Sequence, residues 1–221
     1  MADICISFPK SGRTWLRVML DALDIPLEYD HAGSAYAHAL HWQELDTSLA
    51  DQYERIILLI RDPRDTVVSG YYQATRRIRV KYQGSLSEFI RDPRYGIEKI
   101  ARFHFLWIVK ARTCDRMLIV RYEDLQTDCT AQLERIVHFL GRDVRRARLQ
   151  DVAKENRFDK MQARERAGAY ADRFGDRFGA DDETDPDAYK VRKGRVGGYL
   201  DELSPADVTY CNDVLERLGI G

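Results

Sequence analysis

Phe8-Pro9-Lys10-Ser11-Gly12-Arg13-Thr14-Trp15 is the stretch whose reading decides the fold. It follows a short apolar run, residues 3–8 (DICISF), and leads into Trp15, Leu16, Val18, Met19, Leu20 and Leu23, which recur at helical spacing. The order is strand, tight polar loop, helix. A loop of this kind presents backbone N–H groups at a helix start, where they hold phosphate-like anions. Gly12 lets the backbone approach the anion, Ser11 and Thr14 add hydroxyl donors, and Lys10 supplies a full positive charge. The segment departs from the GxxxxGK[ST] pattern, because Lys10 precedes the glycine and no glycine opens the loop. Taken alone, it also reads as a plain polar turn.

Outward from that loop, apolar runs and helical periodicities alternate. Residues 26–31 (PLEYDH) are a second extended piece, and residues 55–60 (RIILLI) form the clearest strand, stopped by Arg61-Asp62-Pro63. Pro63 suits the first turn of the helix that follows, where its missing N–H costs nothing, and that helix would turn Val67, Val68, Tyr71 and Tyr72 inward. Residues 96–113 read as a long amphipathic helix and 117–120 (MLIV) as another buried strand. Two helical patterns follow at 129–140 and 144–155, separated by Gly141, and a last helix at 204–218 opens on Ser204-Pro205. Nearly all-apolar strands separated by helices predict an α/β fold, a parallel sheet covered on both faces, in one domain spanning 1–221. Residues 172–190 break the pattern with a tandem repeat and clustered acids, and read as a solvated loop or mobile lid.

Composition narrows the function classes. The chain has 221 residues, with Lys+Arg 35 against Asp+Glu 36 and a formal net charge of -1. That balance argues against a general binder of nucleic acid or anionic membranes, which reward a strongly basic footprint. Of the cations 27 are Arg, whose planar fork suits phosphate and carboxylate, so local anion sites fit within a neutral whole. The longest apolar run, Ile56 to Ile60, is far short of the roughly 20 residues of a membrane span. The start, MADICISFPK, lacks a basic segment followed by an apolar export signal. Cys5, Cys114, Cys129 and Cys211 are scattered with no CxxC pair, which argues against a disulfide scaffold or a zinc site. A reducing cytoplasm is the expected setting.

Two further segments carry chemistry. In Arg61-Asp62-Pro63-Arg64-Asp65-Thr66-Val67-Val68-Ser69, Arg61 leaves a strand end and Ser69 lies about two helical turns on, so a sharp turn at Pro63 would let both face one anion. Arg64 and Asp65 read as surface ion pairs of little energetic weight. Arg192-Lys193-Gly194-Arg195 is a dense basic island, which alone reads as a solvated charge run.

In combination and order, these three segments resemble the cytosolic-type sulfotransferases that use 3′-phosphoadenosine 5′-phosphosulfate (PAPS). That family's motifs read roughly PKSGTTW, RNPRDxxxS and RKGxxG. This chain has Pro9-Lys10-Ser11-Gly12-Arg13-Thr14-Trp15, Arg61-Asp62-Pro63-Arg64-Asp65 through Ser69, and Arg192-Lys193-Gly194-Arg195-Val196-Gly197. The resemblance implies a sheet like that of P-loop NTPases, PAPS as co-substrate, and no metal. By its analogy, Lys10, Ser11, Gly12, Arg13, Thr14 and Trp15 cradle the 5′-phosphosulfate, with Trp15 also packing on adenine. Arg61, Ser69, Arg192, Lys193 and Gly194 hold the 3′-phosphate. Tyr122, in Arg121-Tyr122-Glu123-Asp124, lies beside the adenine, and Phe158 closes its other face, although ordinary helix core explains Phe158 equally well.

The family also carries a strand-end His as general base, and His31, ending the strand 26–31, matches it, with His38 and His41 in reserve. His104 and His138 read as packed or surface residues. In this reading Lys10 stabilises the leaving phosphate oxygen, and the acceptor is a hydroxyl or amine on a small molecule, sugar, lipid or peptide. Four departures stand out: Arg13 replaces the usual Thr, Asn156-Arg157 replaces a small hydroxyl pair, Gly198-Tyr199 replaces Asp-Trp, and no Lys-Thr-Val dimer motif is visible. The rival readings are a P-loop nucleotide kinase or NTPase and a non-catalytic nucleotide-binding protein.

Overall fold

The computed structural model describes residues 2–36, 40–77, 81–170 and 194–220. The expected lid at 172–190, the cations Arg192 and Lys193, and His38 lie outside them.

Four strands, β1 (Ile4–Ser7), β2 (Glu28–Asp30), β3 (Ile56–Ile60) and β4 (Met117–Arg121), form one sheet in the order β2-β1-β3-β4. All three pairings are parallel, with Ile4 facing both Glu28 and Ile56, and Ile56 facing Met117. Side chains alternate across a strand, and here the alternation divides the core in two. Ile4, Ile6, Ile56, Leu58 and Ile60 pack on one face with Val67, Val68, Phe103, Trp107 and Val214. Cys5, Ile57, Leu59 and Val120 pack on the other with Leu16, Met19, Leu20, Leu133, Ile136, Leu149 and Val152. β1 and β3 are therefore buried along their whole length because neither face meets water, whereas the edge strand β2, Glu28-Tyr29-Asp30, is exposed at both ends.

The first face is covered by α2 (Pro63–Arg76), α3 (Leu86–Arg91), α4 (Ile97–Arg112) and α9 (Pro205–Arg217), and the second by α1 (Arg13–Asp21), α5 (Tyr122–Thr127), α6 (Cys129–Phe139) and α7 (Arg146–Glu155). A further helix, α8 (Phe158–Arg166), follows α7. Pro63 is the first residue of α2, and the Asp62 side chain caps it by accepting the Arg64 amide at 2.8 Å. Ser204 caps α9 in the same way, with Pro205 next. The expected strands and long helices fall within a few residues of these boundaries; α3 and α5, each six residues, and α8, nine residues, were not anticipated. α3 carries a capping box between Ser85 and Glu88, a signal present in the sequence.

The chain runs from β1 outward to β2 on one side and then returns to β3 on the other. This reversal opens a crevice at the carboxyl ends of β1 and β3, where open parallel sheets bind ligands.

Candidate functional site

A cavity of about 300 Å³ occupies that crevice. Every candidate residue of the first loop except Ser11 lines it, together with His31, Arg61, Ser69, Tyr122, Phe158 and Gly194. The three sequence segments thus meet at one place, as far as the described residues reach.

The loop after β1 owes its shape to two left-handed residues, Lys10 at φ 72° and Gly12 at φ 94°. Gly12 is required twice over: its φ disfavours a side chain, and a Cβ there would stand 2.5 Å from a ring carbon of Tyr122. The turn delivers the chain into α1, whose first-turn amides at Arg13 and Thr14 have no intrahelical carbonyl to bond. The Ser11 hydroxyl and Arg61 Nε are both buried without a hydrogen-bond partner among the described residues. Orphaned donors around a cavity at a helix start fit a polyanionic ligand.

Arg61 leaves β3 and reaches back across the loop. Its Nη1 donates to the Lys10 carbonyl at 3.2 Å, its Nη2 to the Arg195 carbonyl at 3.3 Å, and its guanidinium lies 4.6 Å from the centre of the Tyr122 ring. Asp65 corrects the sequence reading. It is 3% exposed, not a surface ion pair. One carboxylate oxygen accepts the Gly197 amide at 2.8 Å and the other the Tyr199 amide at 2.9 Å, while Arg61 stands 3.8 Å away. Arg64 pairs instead with its neighbour Asp62 at 2.7 Å and lies over the Tyr199 ring. Asp65 thereby ties the segment after Gly194 to the start of α2.

The aromatic end of the cavity is built from three helices. Trp15 and Tyr122 meet edge to face, with centroids 5.7 Å apart. The Trp15 indole N–H donates to the Asn156 carbonyl at 2.7 Å, which joins α1 to the end of α7. Asn156, a departure from the family pattern, is buried and donates its side-chain amide to the Val152 carbonyl at 2.9 Å; its neighbour Arg157 is exposed. Tyr122 donates to the Gly194 carbonyl at 3.1 Å, and Gln126 donates to both. Phe158 opens α8 and faces the cavity rather than disappearing into the core.

His31 stands at the end of β2. Its Nδ1 lies 2.8 Å from the Ser7 carbonyl and its Nε2 lies 2.6 Å from Arg13 Nη2. A carbonyl only accepts and a guanidinium only donates, so Nδ1 carries the proton and Nε2 presents its lone pair to Arg13. The His31 carbonyl accepts from the amide and the hydroxyl of Ser34, which fixes the turn that follows. The other described histidines sit elsewhere. His41 caps a short 3-10 helix, His138 is exposed on α6, and His104 is buried in α4, where desolvation pushes its pKa down to about 4.

Tyr36, Gln73, Gln126, Arg195 and Tyr199 also line the cavity and were not anticipated. Tyr36 is buried, its phenol pKa raised by desolvation, and a Cβ on Gly70 would lie 1.9 Å from its hydroxyl. The cations Arg76, Arg77 and Lys81 do not line it. Among the described residues no helix is long and apolar enough to cross a membrane.

A family model described as a sulfotransferase domain matches residues 33–218. Human sulfotransferase 2B1 is 27% identical over 188 residues, which is 72% of this chain and 51% of that protein. Rat sulfotransferase 2A6 is 30% identical over 116 residues, 52% of this chain and 41% of that protein. The chain spans about half the length of these curated relatives, or less. Among solved structures, mouse sulfotransferase SULT7A1 complexed with PAP superposes with a TM-score of 0.69 at 18% identity, covering 98% of this chain and 83% of that one. Retinol dehydratase, solved with androsterone and the inactive cofactor PAP, gives 0.72 at 16% identity, covering 98% and 80%. At these identities the superpositions establish the shared fold.

Proposed function

The chain belongs to the sulfotransferase family, and on that premise we propose that it moves the sulfuryl group of PAPS to a hydroxyl or amine acceptor. One observation carries the reading: Lys10 and Gly12 to Trp15 of the loop, Arg61, Ser69 and the strand-end His31 face a single cavity at the carboxyl ends of β1 and β3. PAP, the nucleotide named with both solved neighbours, is what PAPS becomes on losing its sulfuryl group.

Bound PAPS supplies the sulfuryl group. In this reading the amides of Arg13 and Thr14, the Ser11 hydroxyl and Lys10 hold the 5′-phosphosulfate at the start of α1. Arg61 and Ser69 take the 3′-phosphate, with Gly194 beside them and Arg192 and Lys193 assigned there by the resemblance alone. Trp15, Tyr122 and Phe158 form the aromatic walls for adenine. His31 Nε2, already an acceptor, takes the proton of the acceptor hydroxyl as its oxygen bonds to sulfur. The sulfur–oxygen bond to the 5′-phosphate breaks, and Lys10 with the loop amides stabilises the charge left on that oxygen. Catalysis is then positioning and charge stabilisation, as in phosphoryl transfer.

The acceptor is a small molecule in this account, by analogy with the androsterone named with retinol dehydratase; sugars, lipids and peptides remain within the same chemistry. Cys5, Cys114, Cys129 and Cys211 are free thiols, which supports a reducing cytoplasm as the compartment. Thermal unfolding with added nucleotide tests the donor assignment, since a ligand of the native state raises the melting temperature. PAP should stabilise the protein well beyond ATP with Mg²⁺. The reverse order would favour the kinase or NTPase reading.

A further inference from the structure

Gln126 stands one helical turn after Tyr122 on α5 and lines the cavity with Trp15, Tyr122, Phe158 and Gly194. Its Nε2 lies 2.7 Å from the Tyr122 hydroxyl and 3.1 Å from the Gly194 carbonyl. A side-chain amide has two N–H donors on its nitrogen and an acceptor on its oxygen, and a backbone carbonyl only accepts. The atom turned toward Gly194 is therefore the nitrogen, and both of its N–H groups are engaged, one on each partner. Oε1 is left over, and it accepts from none of the described residues. The other polar side chains at this aromatic end are occupied. The Trp15 N–H goes to the Asn156 carbonyl, and the Tyr122 hydroxyl donates to Gly194 while accepting from Gln126.

A base held between aromatic walls is told from other bases by hydrogen bonds at its edge. Adenine carries an amino donor at position 6, where a 6-oxopurine carries a carbonyl acceptor. Gln126 cannot turn its amide to suit the second. Turning it would set Oε1 against the Gly194 carbonyl and abandon both N–H bonds, leaving acceptor facing acceptor on that side. Resting on the sulfotransferase reading above, we propose that Gln126 is a specificity-determining residue of the donor site: its Oε1 accepts from the 6-amino group of adenine and disfavours 6-oxopurine nucleotides. A site whose polar group is fixed in one orientation rejects the analogue of opposite hydrogen-bonding sense, because that group is then left unpaired.

Two matched nucleotides separate this from a merely structural role. Calorimetry measures the binding of PAP and of 3′-phosphoinosine 5′-phosphate, which differs from PAP in having a carbonyl in place of the 6-amino group. The wild type should bind PAP at least about tenfold more tightly than the inosine analogue. Gln126→Leu should bring the ratio to within about twofold. Gln126→Glu, whose carboxylate offers acceptors alone, should weaken both nucleotides and keep the preference for PAP. Equal binding of the two nucleotides to the wild type, or a preference that survives Gln126→Leu, overturns the proposal. A parallel loss of both in Gln126→Leu with the ratio unchanged overturns it too, since Gln126 would then only hold Tyr122 and Gly194 in place. Failure of the wild type to bind either nucleotide instead strikes the donor assignment, and the proposal about the base falls with it.

Discussion

Gly194 sits so close to Phe158 that a Cβ on it would stand 2.1 Å from two carbons of the ring. Its φ of 59° is left-handed as well, so the residue is glycine for both reasons. The contact fixes the ring that is proposed to close on adenine. Gly194→Ala should push Phe158 aside and weaken PAP affinity by about tenfold or more, a loss of roughly 1.4 kcal/mol. Calorimetric titration checks this. If Gly194→Ala bound PAP as the wild type does, Phe158 would have no part in the nucleotide site.

Asp65 gives a second test, of how the segment after Gly194 is held. Asn in its place keeps one accepting oxygen but turns an NH2 toward a backbone amide that needs an acceptor. Leaving a buried donor unsatisfied costs about 1–3 kcal/mol. In Asp65→Asn, hydrogen exchange at the Gly197 and Tyr199 amides should accelerate selectively, with the amides of β3 unchanged. Uniform acceleration across the sheet would mean that Asp65 supports the whole fold and not this junction.

The sheet was legible because Ile4 to Ile6 and Ile56 to Ile60 are apolar on both faces, and only a doubly covered parallel sheet asks for that. The loop at Lys10 to Trp15 was legible because anion binding at a helix start needs small, polar and cationic residues in succession. Asp65 was not, because an acid one turn into a helix among arginines looks like any surface charge until Gly197 and Tyr199 arrive from 132 and 134 residues away. Arg13 shows the same limit: its substitution was visible, but its meeting with His31 depends on β1 and β2 lying side by side. Contacts between segments distant in sequence leave no local periodicity to read.

Lys99 predicts a stability change on the alkaline side. It is fully buried in α4 with no hydrogen-bond partner for its ammonium among the described residues, and desolvation lowers its pKa from 10.5 to about 8, opposed by Glu44 and Asp92. Below pH 8 it is charged in both states and burial of that charge costs the fold about 3 kcal/mol. Between about pH 8 and 10.5 the unfolded chain holds the proton and the fold does not, so this cost is relieved as pH rises. Lys99→Met should be the more stable protein at pH 7, with the gap closing toward pH 10.5 in denaturant titrations. A gap independent of pH would show that packing alone distinguishes the two.

His104 predicts the opposite limb. Burial lowers its pKa from 6.5 to about 4, reinforced by Arg121, so the fold keeps it neutral where the unfolded chain is protonated. Stability should fall as pH drops from 6.5 to 4, by about 3 kcal/mol from this group. Relative to the wild type, His104→Phe should lose that slope and leave sulfuryl transfer intact, since His104 does not line the cavity. Melting temperatures of both proteins across that interval check it.

Transfer of labelled sulfuryl from PAPS to an acceptor panel of phenols, sugars and hydroxybenzoates tests the central claim most directly, at saturating donor and with Lys10→Ala and His31→Ala alongside. The wild type should label at least one acceptor and release PAP in equal amount. Lys10→Ala and His31→Ala should each lose about a hundredfold or more in turnover, while Arg61→Ala should chiefly raise the donor concentration required. Full turnover by Lys10→Ala or His31→Ala, or no labelling of any acceptor by a wild type that binds PAP, would contradict the account.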